Sequence, residues 1–175
     1  MSSAFDANYA LDEKYVPHPL DGTISIDEFI VGDQAFAVQA PASFDVLLTA
    51  LDDGLLVQGE VTLLVMSDCV RCLKPFETKI TAAVDSMFYY ETTLDDDGDP
   101  YPEVDEFGCI DLEGELIEDL IIAAPFAPIH SQDCKGICFV CGADRNVDPC
   151  RCAEDAVDET HPFACLDMLL DKGDE

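Results

Sequence analysis

The chain has 175 residues, 49% of them hydrophobic, with 38 Asp and Glu against 8 Lys and Arg and a formal net charge of −30. That is apolar enough for one packed domain with a small appendage, and it excludes an intrinsically disordered acidic chain. It also excludes an extended nucleic-acid-binding surface, because backbone-phosphate affinity comes from cationic side chains that displace counterions. A salt-rich cytoplasm is a second source of such acidity.

The opening "MSSAFDANYALDEKYVPHPL" lacks the basic start and apolar stretch of a signal peptide and reads as a weakly structured lead-in. "GTISIDEF", residues 22–29, alternates apolar and polar positions as a half-buried strand does. "FDVLLTALDDGLLVQGEVTLLVMSDC" then places two apolar runs around Asp52-Asp53-Gly54, a hairpin turn signal, with Val61, Leu63 and Val65 on one face of the second strand. The alternation resumes in "FETKITAAVDSMFYY" through Ile80, Ala82 and Val84, so Cys69 and Cys72 are predicted at the tip of a β-hairpin.

Residues 91–119 carry thirteen acids and no Lys or Arg, and their first half reads as an exposed loop. Its "DDDGD" does not make a calcium loop: aligned on Gly98, the first and last ligand positions fall on Thr93 and Val104, where carboxylates are needed. "IDLEGELIEDLIIAAP" predicts a helix over 111–124. Asp111 caps it, acids fill its first turns, Leu112, Leu116, Leu120 and Ala124 recur every fourth residue, and Pro125 ends it. A second helix is predicted in "HPFACLDMLLDKG", with Pro162 in its first turn, Gly173 after its end and Phe163, Leu166, Leu169 and Leu170 as its apolar face. The longest apolar run, "LIIAAPFAPI", is broken by two prolines and too short to cross a bilayer. The expected setting is therefore the cytoplasm, where thiols stay reduced.

The expected fold class is α+β: an antiparallel β-sheet core of hairpins with two helices and a C-terminal cysteine-rich zinc-binding segment. The expected organisation is a β-rich core over 1–130 that includes the helix, a cysteine-rich segment over 131–153, and an acidic C-terminal segment with the second helix over 154–175.

Nine cysteines is an odd number and a poor fit to a closed disulfide framework. Five of them follow the spacing Cys134-x3-Cys138-x2-Cys141-x8-Cys150-x-Cys152. A CxxC turn directs two thiolates at one metal, and Gly142 follows the second cysteine where the backbone must turn. Four thiolates in a tetrahedron with no open position make a structural zinc site. The favoured set is Cys138, Cys141, Cys150 and Cys152, with Cys134 spare. The alternative joins Cys134 to Cys69, Cys72 and His130 in a second, split site. A redox role for Cys69-Val70-Arg71-Cys72 fits poorly, since β-like sequence lies on both sides and no helix N-terminus is available to lower a thiol pKa. Cys109 and Cys165 stand alone, and Cys165 lies near the apolar face of the last predicted helix. With three histidines and no HExxH, GxSxG or phosphate-binding glycine loop, the chain does not read as an enzyme.

Six of the eight basic residues flank cysteines. Either they offset thiolate charge, or Arg71, Lys74, Lys135, Arg145 and Arg151 form one anion-tolerant face for a partner or for RNA.

Three stretches, "CVRCLKPFETKI", "EVDEFGCIDLEGELIEDLIIAAPFAPIH" and "CKGICFVCGADRN…PCRC", occur in one order over roughly residues 60–170 and together resemble the large ribosomal RNA subunit accumulation protein (YceD) family. The resemblance implies a bacterial or organellar factor needed for 23S rRNA accumulation in large-subunit biogenesis, with no established catalysis. Cys69, Arg71 and Cys72 match its hairpin motif, and Cys134, Cys138, Cys141, Cys150 and Cys152 match a C-terminal cluster found in part of the family. The closing "HPFACLDML" departs from the expected Asp-Pro-Arg start, with His161 and Phe163 in place of charged residues. The expected function is a non-catalytic ribosome biogenesis factor with a structural zinc site, and the alternative is a zinc- or redox-responsive regulator. The expected partner is a basic ribosomal protein or rRNA-processing factor, with rRNA touched only near the cysteines.

Overall fold

The computed structural model describes residues 4–32, 34–94, 98–148, 150 and 152. The chain divides into two compact units, Met1–Asp68 with Pro75–Pro128, and Cys69–Lys74 with Ile129–Glu175. The second predicted helix, Cys165 and Arg151 lie outside the described residues.

The first unit contains β1 (Phe5–Asp6), α1 (Asn8–Leu11), β2 (Pro17–Ile24), β3 (Phe29–Val31), β4 (Gln34–Val38), β5 (Ala42–Ala50), β6 (Gly54–Asp68), β7 (Pro75–Tyr89), β8 (Cys109–Ile110) and α2 (Leu112–Ala123). A six-stranded antiparallel sheet is ordered β2-β5-β6-β4-β3, with β7 paired to β6. The Asp52-Asp53-Gly54 turn joins β5 to β6 as expected, closed by the Leu51 N–H donating to the Gly54 carbonyl at 2.8 Å. β6 and β7 pair without interruption from Gly54↔Tyr89 to Asp68↔Pro75, so Cys69 and Cys72 do lie in the turn at the end of this hairpin.

Strict alternation sorts the sheet into two faces. Ala42, Phe44, Val46, Leu48 and Ala50 of β5 are buried together with Leu55, Val57, Val61, Leu63 and Val65 of β6 and Ile80, Ala82, Val84 and Phe88 of β7. Gly59 interrupts the β6 run because a Cβ there would collide with the backbone of Asp45 and Val46. α2 packs on β7 and β6. Asp111 caps it by accepting from the Gly114 N–H at 3.4 Å, and Leu112, Leu116, Leu120 and Ala124 are buried, the fourfold repeat read from the sequence. Leu116 is fully buried in this core, so Leu116→Ala is expected to cost about 2–5 kcal/mol of stability in denaturant titrations.

Residues 4–20 are more ordered than a lead-in. Ala7 and Ala10 are buried in the core, and β2 begins at Pro17. Two prolines conceal that strand in the sequence, and it tolerates them because among the described residues it pairs on one side only, with β5. The run 22–29 is not one strand: residues 22–24 end β2, and β3 starts at Phe29. No helix among the described residues is long and apolar enough to cross a membrane.

Candidate metal centres

The second unit has a different interior. Among its described residues the buried apolar side chains are Cys69, Cys72, Cys134 and Cys138, while Val70, Leu73, Phe139, Val140 and Val147 are exposed, Phe139 at 84%. Sulfur stands where an aliphatic core would be.

Two cysteine pairs in this unit share one backbone design. The Cys69 carbonyl accepts from the Leu73 N–H at 2.8 Å, and the Cys69 N–H donates to the Lys74 carbonyl at 2.9 Å. The Cys138 carbonyl accepts from the Gly142 N–H at 2.8 Å, and the Cys138 N–H donates to the Ala143 carbonyl at 2.8 Å. In each the residue after the second cysteine is left-handed, Leu73 at φ 58° and Gly142 at φ 73°. Glycine adopts that conformation freely, whereas for leucine it costs roughly 1–2 kcal/mol. The turn therefore holds Leu73 against its own preference. That is why a glycine marks one knuckle in the sequence, while the other is marked only by its CxxC spacing.

The thiols converge in two groups. The ligand atoms of Cys69, Cys72, His130 and Cys134 lie within 4.8 Å of one another, and so do those of Cys138, Cys141, Cys150 and Cys152. In the first group Cys69 Sγ is 3.8 Å from Cys134 Sγ, and Cys72 Sγ is 3.5 Å from His130 Nδ1. A zinc tetrahedron with ordinary bond lengths has S···S edges of about 3.8 Å and S···N edges of about 3.6 Å. The two edges of the first group therefore fit one tetrahedral ion, and the second group converges within the same 4.8 Å. A polynuclear iron–sulfur cluster would place cysteines on separate irons and spread them further.

Crowded thiols cannot all ionise without a cation between them. Burial pushes the Cys69 thiol up, but hydrogen bonds from His130 and from backbone N–H groups outweigh it and bring the pKa down to about 5. The Lys74 backbone favours a Cys72 thiolate, yet burial and the Cys69 and Cys134 sulfurs raise its pKa. The second group divides likewise. Backbone hydrogen bonds from Cys141 and Val140 and the Cys150 thiol hold Cys138 at about 6, while the Cys141 sulfur and burial push Cys152 up to about 11. Each cluster thus pairs thiolates with proton-holding thiols, and a divalent ion entering either would release protons.

Of the basic residues expected to face a partner, two are engaged inside the unit. Arg71 Nη1 donates to the carbonyls of Gln132 and Cys134, each at 3.2 Å, and Lys74 pairs with Asp144. Lys74 and hydrogen bonds from Asn146 hold the Asp144 carboxyl at about 2. A depressed carboxyl gives its full stabilisation above its ordinary value and loses it as pH falls through the folded value, so this contribution is intact above about pH 4 and is lost as pH falls to about 2. All four, Arg71, Lys74, Lys135 and Arg145, are nonetheless exposed. Asn146, which sequence reasoning did not single out, accepts from the Lys135 N–H at 2.8 Å and directs Nδ2 at Cys134 Sγ, 3.7 Å away. Its signal was the "ADRN" after the second knuckle: Asp144 Oδ1 accepts from the Asn146 backbone at 2.9 Å, an Asx turn.

The family described as "Large ribosomal RNA subunit accumulation protein YceD" matches residues 57–170, which take in most of the β6–β7 hairpin, α2 and both cysteine groups. The chain belongs to the YceD family. Among its relatives, an uncharacterized protein of Mycobacterium leprae is 34% identical over 113 residues, 63% of this chain and 52% of that protein. An uncharacterized protein of Mycobacterium tuberculosis is 30% identical over 126 residues, 68% of this chain and 59% of that protein. The large ribosomal RNA subunit accumulation protein YceD of Haemophilus influenzae is 30% identical over 125 residues, 66% of each chain. The matched stretch spans between half and three fifths of the length of the mycobacterial relatives. No solved structure matches the chain. The family is named for rRNA accumulation and not for an enzymatic activity.

Proposed function

We propose that this chain is a non-catalytic ribosome biogenesis factor that supports 23S rRNA processing and accumulation during large-subunit assembly, with a structural zinc ion held by Cys138, Cys141, Cys150 and Cys152. The observation that carries the reading is the family match across residues 57–170. Four thiols around one point with no open position supply a fixed scaffold and no site for substrate. A cytoplasmic setting accords with ribosome assembly and with free thiols at every described cysteine.

The partner follows from charge. At −30 the surface repels phosphate and attracts cations, so the proposed partner is a basic ribosomal protein or rRNA-processing factor. Any rRNA contact falls near the cysteines, where Lys135 and Arg145 are exposed and Arg151 follows in sequence. Arg71 and Lys74 serve the unit's own structure first. The competing reading, a zinc- or redox-responsive regulator, is favoured by the exposure of Cys141.

Capture on the immobilised, reduced chain from a lysate of its own cells separates these readings. Large-subunit proteins or their processing factors are expected at low salt and depleted at physiological salt, where screening acts over about 8–10 Å. Retention of protein-free rRNA, or capture of nothing ribosomal at either salt, would overturn the partner assignment. Capture that switches on and off with oxidant would favour the regulator.

A further inference from the structure

We propose that the chain holds a second structural zinc ion, at the thiolates of Cys69, Cys72 and Cys134 and the Nδ1 of His130, so that a unit whose described buried apolar side chains are cysteines is built on two metals. The inference rests on cysteine geometry and not on the ribosomal reading, which would survive its failure.

Two separate stretches of chain bring these four groups together: the hairpin turn with Cys69 and Cys72, and the segment from His130 to Cys134. Two of their edges, 3.8 Å for sulfur to sulfur and 3.5 Å for sulfur to nitrogen, lie within about 0.1 Å of a zinc tetrahedron. The three sulfurs are buried, at 0%, 4% and 6% exposure, as free thiols. A disulfide between Cys69 and Cys134 would leave Cys72 and His130 facing each other with no function. A metal uses all four. Mixed imidazole and thiolate donors suit zinc, and a closed tetrahedron makes the site structural.

The surroundings are those of a metal site. The Asn146 amide points at Cys134 Sγ, as outer-shell donors do toward a ligating thiolate. Arg71 fixes the Cys134 stretch through two carbonyls, and its own carbonyl accepts from the Ile137 N–H at 2.9 Å. Gly136, at φ 70°, lies so close to that same carbonyl that a Cβ would come within 2.9 Å of it. Three thiolates and one Zn2+ leave a formal charge of about −1, which the nearby Arg71 and Lys74 cations offset. This gives those cations a reason to sit beside the first cysteine pair.

The test uses the full chain, purified reduced and without chelator. Elemental analysis is expected to find about two equivalents of zinc, and X-ray absorption to find seven sulfurs and one nitrogen shared between the two ions. His130→Cys is expected to keep both equivalents while the nitrogen contribution disappears. Cys72→Ser is expected to lose one equivalent and leave an all-sulfur spectrum. One equivalent in the unaltered chain with sulfur ligands alone would overturn the proposal, as would a nitrogen contribution unmoved by His130→Cys. The spectrum of the unaltered chain decides the matter even if a variant fails to fold.

Discussion

Stripping the chain with a strong chelator is expected to accelerate protease cleavage within residues 129–148 at least tenfold while the far-ultraviolet signal of the sheet persists. The two units differ in what opposes chain entropy. In the first, Phe29, Phe44, Leu48, Leu55, Leu63, Phe88, Leu116 and their neighbours form one contiguous buried cluster. In the second, the described buried apolar side chains are cysteines, while Val70, Leu73, Ile137, Phe139, Val140 and Val147 are exposed. Ordering each residue costs roughly 1–2 kcal/mol. Apparent zinc-binding free energies of about 10–16 kcal/mol are of the size needed to hold such a loop, and hydrogen bonds alone are not. Release should begin at the four-thiol group, since Cys141 is exposed and Cys150 and Cys152 are partly so, whereas Cys69, Cys72 and Cys134 are buried. Fragment mapping by mass spectrometry, with circular dichroism on the same sample, checks the expectation. Loss of sheet signal on stripping would mean that the first unit also depends on metal, and unchanged cleavage would mean that metal does not hold the second.

What the sequence made legible, and what it hid, follows from the reach of local patterns. Strict alternation in β5, β6 and β7 and the fourfold leucine repeat of α2 are each written within a short window, and each is found where the pattern put it. The Cys138–Cys141 knuckle was legible because Gly142 marks its turn. Its twin showed only its CxxC spacing and hairpin position, because Leu73 adopts the same left-handed conformation without being the residue that signals it. β2 was hidden by Pro17 and Pro19, which an edge strand tolerates and a window-based reading penalises. The grouping of Cys69 and Cys72 with His130 and Cys134 depends on pairing between distant stretches, so spacing could offer it only as an alternative to a single site. Arg71 and Lys74 show the same limit. Their position beside cysteines is visible in the sequence, but their engagement with Gln132, Cys134 and Asp144 is a tertiary fact.

The largest cellular effect is expected on the large-subunit rRNA itself. If the family's role holds for this chain, 23S rRNA should fail to accumulate when the protein is withdrawn, while 16S rRNA, which belongs to the other subunit, is spared. If the metal-held unit presents the partner surface, a soluble chain carrying Cys138→Ser and Cys141→Ser should behave as a partial loss, with an intact sheet unit and a loosened second one. The most direct measurement is the ratio of 23S to 16S rRNA in the chain's native cells after depletion, with the unaltered chain or the double variant supplied in its place. The expected result is a fall of at least twofold on depletion, full recovery with the unaltered chain and less than half recovery with the variant. A ratio unchanged by depletion would contradict the ribosomal role, and full recovery with the variant would contradict the part assigned to its four-thiol centre.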